Sequence, residues 1–146
     1  MATVTDRNHV LDVYAKAADR GWVAPTFCSE NLTTTEAILS AVRDYGSRIG
    51  RSDLPITIAI TNLYSHRSQT LNYTRTGSWE MGLRLFLADI EVLTSPCSPF
   101  EKLDVMIHLD HIQHDLDHEL LSWDTSRFSS IMFDASAIPF EANIEA

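Results

Sequence analysis

Short apolar strands alternate with helical stretches along this chain. The arrangement that suits such alternation is a parallel sheet covered by helices, joined by right-handed crossovers. Ile56-Thr-Ile-Ala-Ile-Thr61 starts directly after Pro55, is rich in β-branched residues and gives way to a long polar stretch, Asn62 to Gly77. Val105 to Leu109 and Ile131 to Phe133 are further apolar runs, followed at once by Asp110-His111 and by Asp134-Ala-Ser136. Each of these two runs is expected to be a buried strand that delivers chemistry at its C-terminal end. Trp22 to Phe27, leading into Cys28-Ser-Glu-Asn31, is the first strand of the series.

Helices are expected between them. Asn8 to Arg20 places Val10, Leu11, Tyr14, Ala17 and Ala18 on one face, with Gly21 as the stop. Thr33 with Glu36 three positions on reads as a capping box, followed by a stripe of Ala37, Ile38, Ala41, Val42 and Tyr45. Trp79, Leu83, Phe86, Leu87, Ile90 and Leu93 form the strongest stripe, broken by Ser95-Pro-Cys-Ser-Pro99. Leu116 to Trp123 is expected to be helical with Leu116, Leu120 and Trp123 inward, and Pro139 to Ala146 to start another helix. The whole reads as a leading helix and four strand-and-helix units in a single domain, 1–146. The pattern alone admits either a doubly wound sheet or a barrel.

Charge narrows the partners. A net charge of −9 with no basic run argues against nucleic acid. The polar N-terminus, with no apolar signal region, and the lack of a long apolar run argue against a membrane and for a cytoplasmic location. Cys28 and Cys97 match no metal or redox spacing and are expected to be reduced thiols.

Asp110 and His111 are adjacent at a strand end, so their side chains diverge; one suits a metal and the other a proton transfer. His108, His111, His114 and His118 are four of the chain's six histidines. His111, His114 and His118 together admit a local metal site, and with it a metal-dependent hydrolase. Asp115, Asp117 and Glu119 interleave with them as on a solvated helix face.

His108-Leu-Asp-His111, together with Asp134-Ala-Ser136 and Pro139-Phe-Glu-Ala-Asn-Ile144 one unit later, resembles the paired motifs of the class II, zinc-dependent ketose-bisphosphate aldolases. Ala24 to Phe27 with Asn31-Leu32 is similar to that family's first strand, and Ile56 to Thr61 to its second. The resemblance implies a TIM (β/α)8 barrel in which Zn2+, or another divalent ion, assists cleavage of a ketose (bis)phosphate to dihydroxyacetone phosphate and an aldehyde. It further implies that His111 is a metal ligand and Asp110 the acid/base on the C4 oxygen, with Thr61, Asp134 and Ser136 on the substrate side. The chain departs from the family at Cys28 (commonly asparagine), Ile112 (glycine) and Ala137 (histidine), and in a long loop bearing His66, Arg67 and Arg75.

A barrel of this type takes about 250 residues and eight strands, so these 146 residues are expected to be its N-terminal half. The remaining metal ligands and the phosphate site are then missing, and the chain alone is expected to be inactive. The expected partners are a phosphorylated sugar and either another copy of the chain or a C-terminal half-barrel; the non-enzymatic alternative is a half-barrel that works through such association.

Overall fold

In β2, Pro55–Thr61, every residue is buried, and the sheet is assembled around it. The computed structural model describes residues 3–145. The four strands β1 (Thr26–Cys28), β2, β3 (Asp104–Gln113) and β4 (Ser130–Asp134) lie side by side in chain order, and every pairing is parallel. Between them run α2 (Leu32–Arg48), α3 (Gln69–Asn72), α4 (Trp79–Leu93) and α5 (His118–Leu121), with α1 (Arg7–Asp19) before and α6 (Phe140–Glu145) after. The parallel α/β architecture is thus present, and the described residues leave β1 and β4 as open edges rather than closing a ring. Among them no helix is long and apolar enough to cross a membrane.

Alternation along the strands sorts the side chains into two layers. Ile56, Ile58 and Ile60 of β2 and Val105, Ile107 and Leu109 of β3 join Leu39 of α2 and Leu83, Phe86 and Ile90 of α4 in one core. The opposite face takes Thr57, Ala59 and Thr61, in register with Met106, His108 and Asp110. At its N-terminal end Met106 packs against Val4, Val10 and Val13, and at its C-terminal end Thr61 is covered by Gln69 of the loop that follows β2. Helix α1 therefore buries Val10, Val13 and Ala17, while Leu11 and Tyr14 of the expected stripe are 47% and 41% exposed. A helix that only plugs one end of a sheet needs a narrower stripe than one lying across it. Its C-terminus closes as expected, with Gly21 at φ +63 and its N–H on Ala18 O, and Trp22 N–H on Ala17 O.

Several boundaries differ from the sequence reading. Helix α2 is capped by Asn31, whose Oδ1 accepts from Thr34 N at 3.0 Å, so Thr33 lies inside the first turn and no capping box forms. Its inward residues are Thr35 and Leu39, flanked by Ile38 and Val42, and Ala37, Ala41 and Tyr45 turn to a groove beside β1. Strand β1 is only Thr26–Cys28, and β4 is not buried: Ile131, Met132 and Phe133 are 37%, 39% and 45% exposed because no strand lies beyond them among the described residues. Helix α5 is a single turn with Leu120 buried and Leu116 exposed, because the carboxylate of Asp117 is drawn back to the end of β3 instead of capping a longer helix.

The stretch from Asn62 to Gly77 is not a simple loop. It contains α3, with Gln69 and Thr70 buried, and α3 lies against α4 so closely that a Cβ on Gly82 would come within 1.8 Å of Thr70 O. Gly82→Ala must push the two helices apart, and overpacking of this kind costs about 1–3 kcal/mol. A clearly lowered midpoint in thermal denaturation is expected; an unchanged one would show that the contact yields freely.

Candidate functional site at the strand ends

The pairing of β3 with β4 slips between Leu109 and Ile112, and the residues in the slip are Asp110 and His111. His111 adopts φ +48, a left-handed conformation rare for a side-chain-bearing residue. A bulge of this kind re-aims side chains, and here it turns the two neighbours toward opposite edges of the sheet. The strand itself continues to Gln113, beyond the end read from the sequence.

Asp110 faces β1. Its Oδ2 lies 3.7 Å from Cys28 Sγ, and its Oδ1 lies 3.6 Å from His108 Nε2. His108 Nδ1 is in turn 2.8 Å from Ser130 Oγ, so one polar row crosses the sheet from β1 to β4. Burial, reinforced by the negative charge of Asp110, pushes the Cys28 thiol above its ordinary range, which keeps it protonated at neutral pH. Both cysteines are free.

His111 faces β4, where its Nδ1 lies 2.8 Å from Asp134 Oδ2. The same oxygen accepts from Gln113 Nε2 at 2.9 Å, and Asp134 Oδ1 accepts from Ser136 N at 3.0 Å and Ser136 Oγ at 2.6 Å. The Ser136 hydroxyl, then His111 and the Ser136 amide, hold the Asp134 carboxyl well below the usual carboxylate range. A carboxylate on Nδ1 selects the tautomer with its proton there and leaves Nε2 as the basic ring nitrogen, the arrangement common behind metal-ligating histidines. Tyr64 stacks on the imidazole, with centroids 4.6 Å apart and planes 9° from parallel. Ring plane and tautomer are therefore both set.

Two further networks brace these strand ends. Asp117, 1% exposed, accepts from Asn62 Nδ2 at 2.7 Å, Leu63 N at 3.3 Å and Gln113 N at 2.7 Å, tying the end of β2 to the end of β3. Thr61 is 2% exposed; its hydroxyl donates to Arg67 O and lies 3.2 Å from Gln69 Oε1. Gln69 reaches Ser29 O at 3.0 Å, and Arg67 pairs with Glu30. Thr61 is thus engaged inside the loop rather than presented to a ligand, and Arg67 has its charge matched.

The structure brings Asp110, His111, Asp134 and Ser136 to one end of the sheet. The local histidine set does not converge: His114 and His118 stand edge to face, their centroids 5.8 Å apart, and among the described residues no three His, Cys, Asp or Glu side chains are grouped to hold a metal. A catalytic zinc normally takes three protein ligands, and the oriented imidazole of His111 offers a single free ring nitrogen, Nε2. The described residues therefore do not by themselves make up such a site. Tyr64, Gln113, Asp117 and Cys28 were not identified from the sequence as site residues. Only Cys28 carried a signal in the sequence, as the position where the aldolases commonly have asparagine.

A family model described as fructose-bisphosphate aldolase class-II matches residues 8–146. No curated protein and no solved structure matches the chain.

Asp117→Ala leaves three donors facing an apolar gap and is expected to cost about 2–4 kcal/mol in urea denaturation; a loss within error would contradict the bracing role. The Asp134 clamp has a defined pH dependence. Its folded pKa is depressed, so its stabilisation is complete above the unfolded carboxylate value of about 4 and fades as pH falls through the lower folded value. The stability difference between the wild type and Asp134→Ala should accordingly persist at neutral pH and shrink only in acid.

Proposed function

The chain belongs to the class-II fructose-bisphosphate aldolase family, and on that premise we propose that its strand ends carry the proton-transfer side of an aldolase-type lyase site for a ketose phosphate. The observation that carries the reading is the divergent pair at the β3 bulge, with Asp110 on one side and, on the other, His111 held through Nδ1 by Asp134.

In the cleavage direction Asp110 accepts the proton of the C4 hydroxyl. The C4 oxygen becomes the aldehyde carbonyl as the C3–C4 bond breaks, and the bonding pair passes to C3. In condensation the same carboxyl returns the proton. His108, near Asp110 Oδ1 and bonded at Nδ1 to Ser130, positions the carboxylate. Asp134 and Ser136 position His111, and Thr61 braces the loop.

The pair left on C3 is delocalised into the neighbouring C2 carbonyl, and a zinc ion held in part by His111 would supply the polarisation of that carbonyl oxygen. Because the described residues offer a single well-oriented imidazole, the other donors must come from outside them, and the 146 residues alone are not expected to turn over. Zinc-dependent cleavage by the pure chain, lost with EDTA and with His111→Ala, would overturn that statement. The location of the site has its own test. Dihydroxyacetone phosphate titrated into labelled protein should shift the amide signals of Asp110, His111 and Ser136, and shifts confined to other regions would remove the site from these strand ends.

A further inference from the structure

We propose that Arg67 binds the phosphate carried on the aldehyde half of a ketose bisphosphate, taking it in exchange for its present partner, the carboxylate of Glu30. This role rests on the lyase reading of the strand ends and adds to it the residue that recognises the second phosphate. The segments that leave the C-terminal ends of the four strands contain two cationic residues, Arg67 and Arg75, against Glu30, Asp115 and Asp117. With Asp110 and Asp134 in the strands themselves, that end of the sheet repels a phosphate unless a cation meets it. Arg75 lies beyond α3, in the turn that leads into α4. Arg67 stands at the site.

Its place is set by the backbone. The Arg67 N–H donates to Tyr64 O at 2.9 Å, and the Arg67 carbonyl accepts from the Thr61 hydroxyl, so the residue closes a turn directly on the end of β2. The other corner of that turn is Tyr64, stacked on His111. The side chain reaches across to the segment after β1, where Nη2 meets Glu30 Oε1. Burial and the charge of Asp110 raise the Cys28 thiol and the Arg67 guanidinium opposes them, so Arg67 and Asp110 both lie within electrostatic range of one thiol. The direction of a bound sugar follows. His111 faces β4 and Asp110 faces β1, so a chain with its carbonyl at His111 and its C4 hydroxyl at Asp110 runs on toward Glu30 and Arg67. The exchange of partners costs little. The ion pair is open to solvent, 54% at Arg67 and 42% at Glu30, and Nη2 is the only guanidinium nitrogen with a partner among the described residues. An arginine fork matches a phosphate through two nitrogens at once and meets a greater charge there than on one carboxylate oxygen. Glu30 keeps the amide of Gln69, 3.2 Å away, when Arg67 leaves it.

Titrating the labelled full chain with two sugar monophosphates separates the halves of the substrate. Fructose 6-phosphate carries its phosphate on the aldehyde half and fructose 1-phosphate on the other, and both should shift the amide signals of Asp110 and His111. Arg67→Gln should weaken fructose 6-phosphate binding by about tenfold or more and leave fructose 1-phosphate unchanged. Glu30→Gln, which removes the competing carboxylate, should tighten fructose 6-phosphate by about two- to fivefold, the range of an exposed ion pair. Neither side chain is buried, so the amide spectrum away from the loop should be retained in both variants. Inorganic phosphate should bind more weakly than fructose 6-phosphate. Equal weakening of both sugar phosphates by Arg67→Gln, no weakening of either, no gain from Glu30→Gln, or inorganic phosphate binding as tightly as the sugar phosphate would each overturn the role of Arg67 while leaving the strand-end site in place. Asp110 and His111 signals that move with neither sugar phosphate would remove the lyase site from the strand ends as well.

Discussion

The parallel ladder between β2 and β3 is the constraint on which the rest depends. Seven consecutive positions pair without a break, from Pro55 with Asp104 to Thr61 with Asp110. Because α2 and α4 cover one side, that register sends Ile56, Ile58 and Ile60 with Val105, Ile107 and Leu109 into a dry core. A shift of one residue would reverse every one of them and bring His108 and Asp110 into the apolar layer. Burial thus enforces the register, and the register places the polar residues of β3 on the other face. Asp117 then locks the ladder at its C-terminal end, its two oxygens shared between the backbone and side chains that leave β2 and β3.

The ladder ends where the candidate chemistry begins. At His108 and Leu109 the strand is held by both β2 and β4; past them, the slip against β4 gives Asp110 and His111 their separate directions. The left-handed backbone at His111 is a local strain of the kind found where side-chain aim matters. It is held in place by Asp134, itself fixed through Ser136 and Gln113, and by the stacked ring of Tyr64. The loop that brings Tyr64 is anchored by buried Gln69 and Thr70, and Gly82 makes room for that anchor against α4. A substitution at Gly82 therefore bears on the imidazole through backbone packing.

Much of this order is legible in the residues. The β-branched run Ile56 to Thr61 and the stripe Trp79 to Leu93 are long enough to specify their period, and they form β2 and α4 where the pattern puts them. Strand β4 was expected to be buried on its apolar content, and it is a half-exposed edge; composition reports that a segment seeks cover and carries no information on whether a neighbour supplies it. The stripe of α1 was misplaced because Leu11 and Tyr14 fit the helical period as well as Val13 does. Only the position of Met106 decides which of them is buried.

By itself the sequence determined the alternation of strand and helix, which follows from local period, and it carried the motif residues by which the chain resembles the aldolases; the directions that Asp110 and His111 take were set by the bulge against β4. The tertiary structure alone decided what those residues meet. It set Cys28 on Asp110, Asp134 and Tyr64 on His111, and Asn62 on Asp117, contacts between residues 23 to 82 positions apart. Such meetings depend on the register of the sheet and the path of the loop over it, and no local pattern encodes either. For the same reason, Thr61, expected on the substrate side, is hydrogen-bonded into the loop, while Tyr64, in an unpatterned loop, stands against the imidazole of His111.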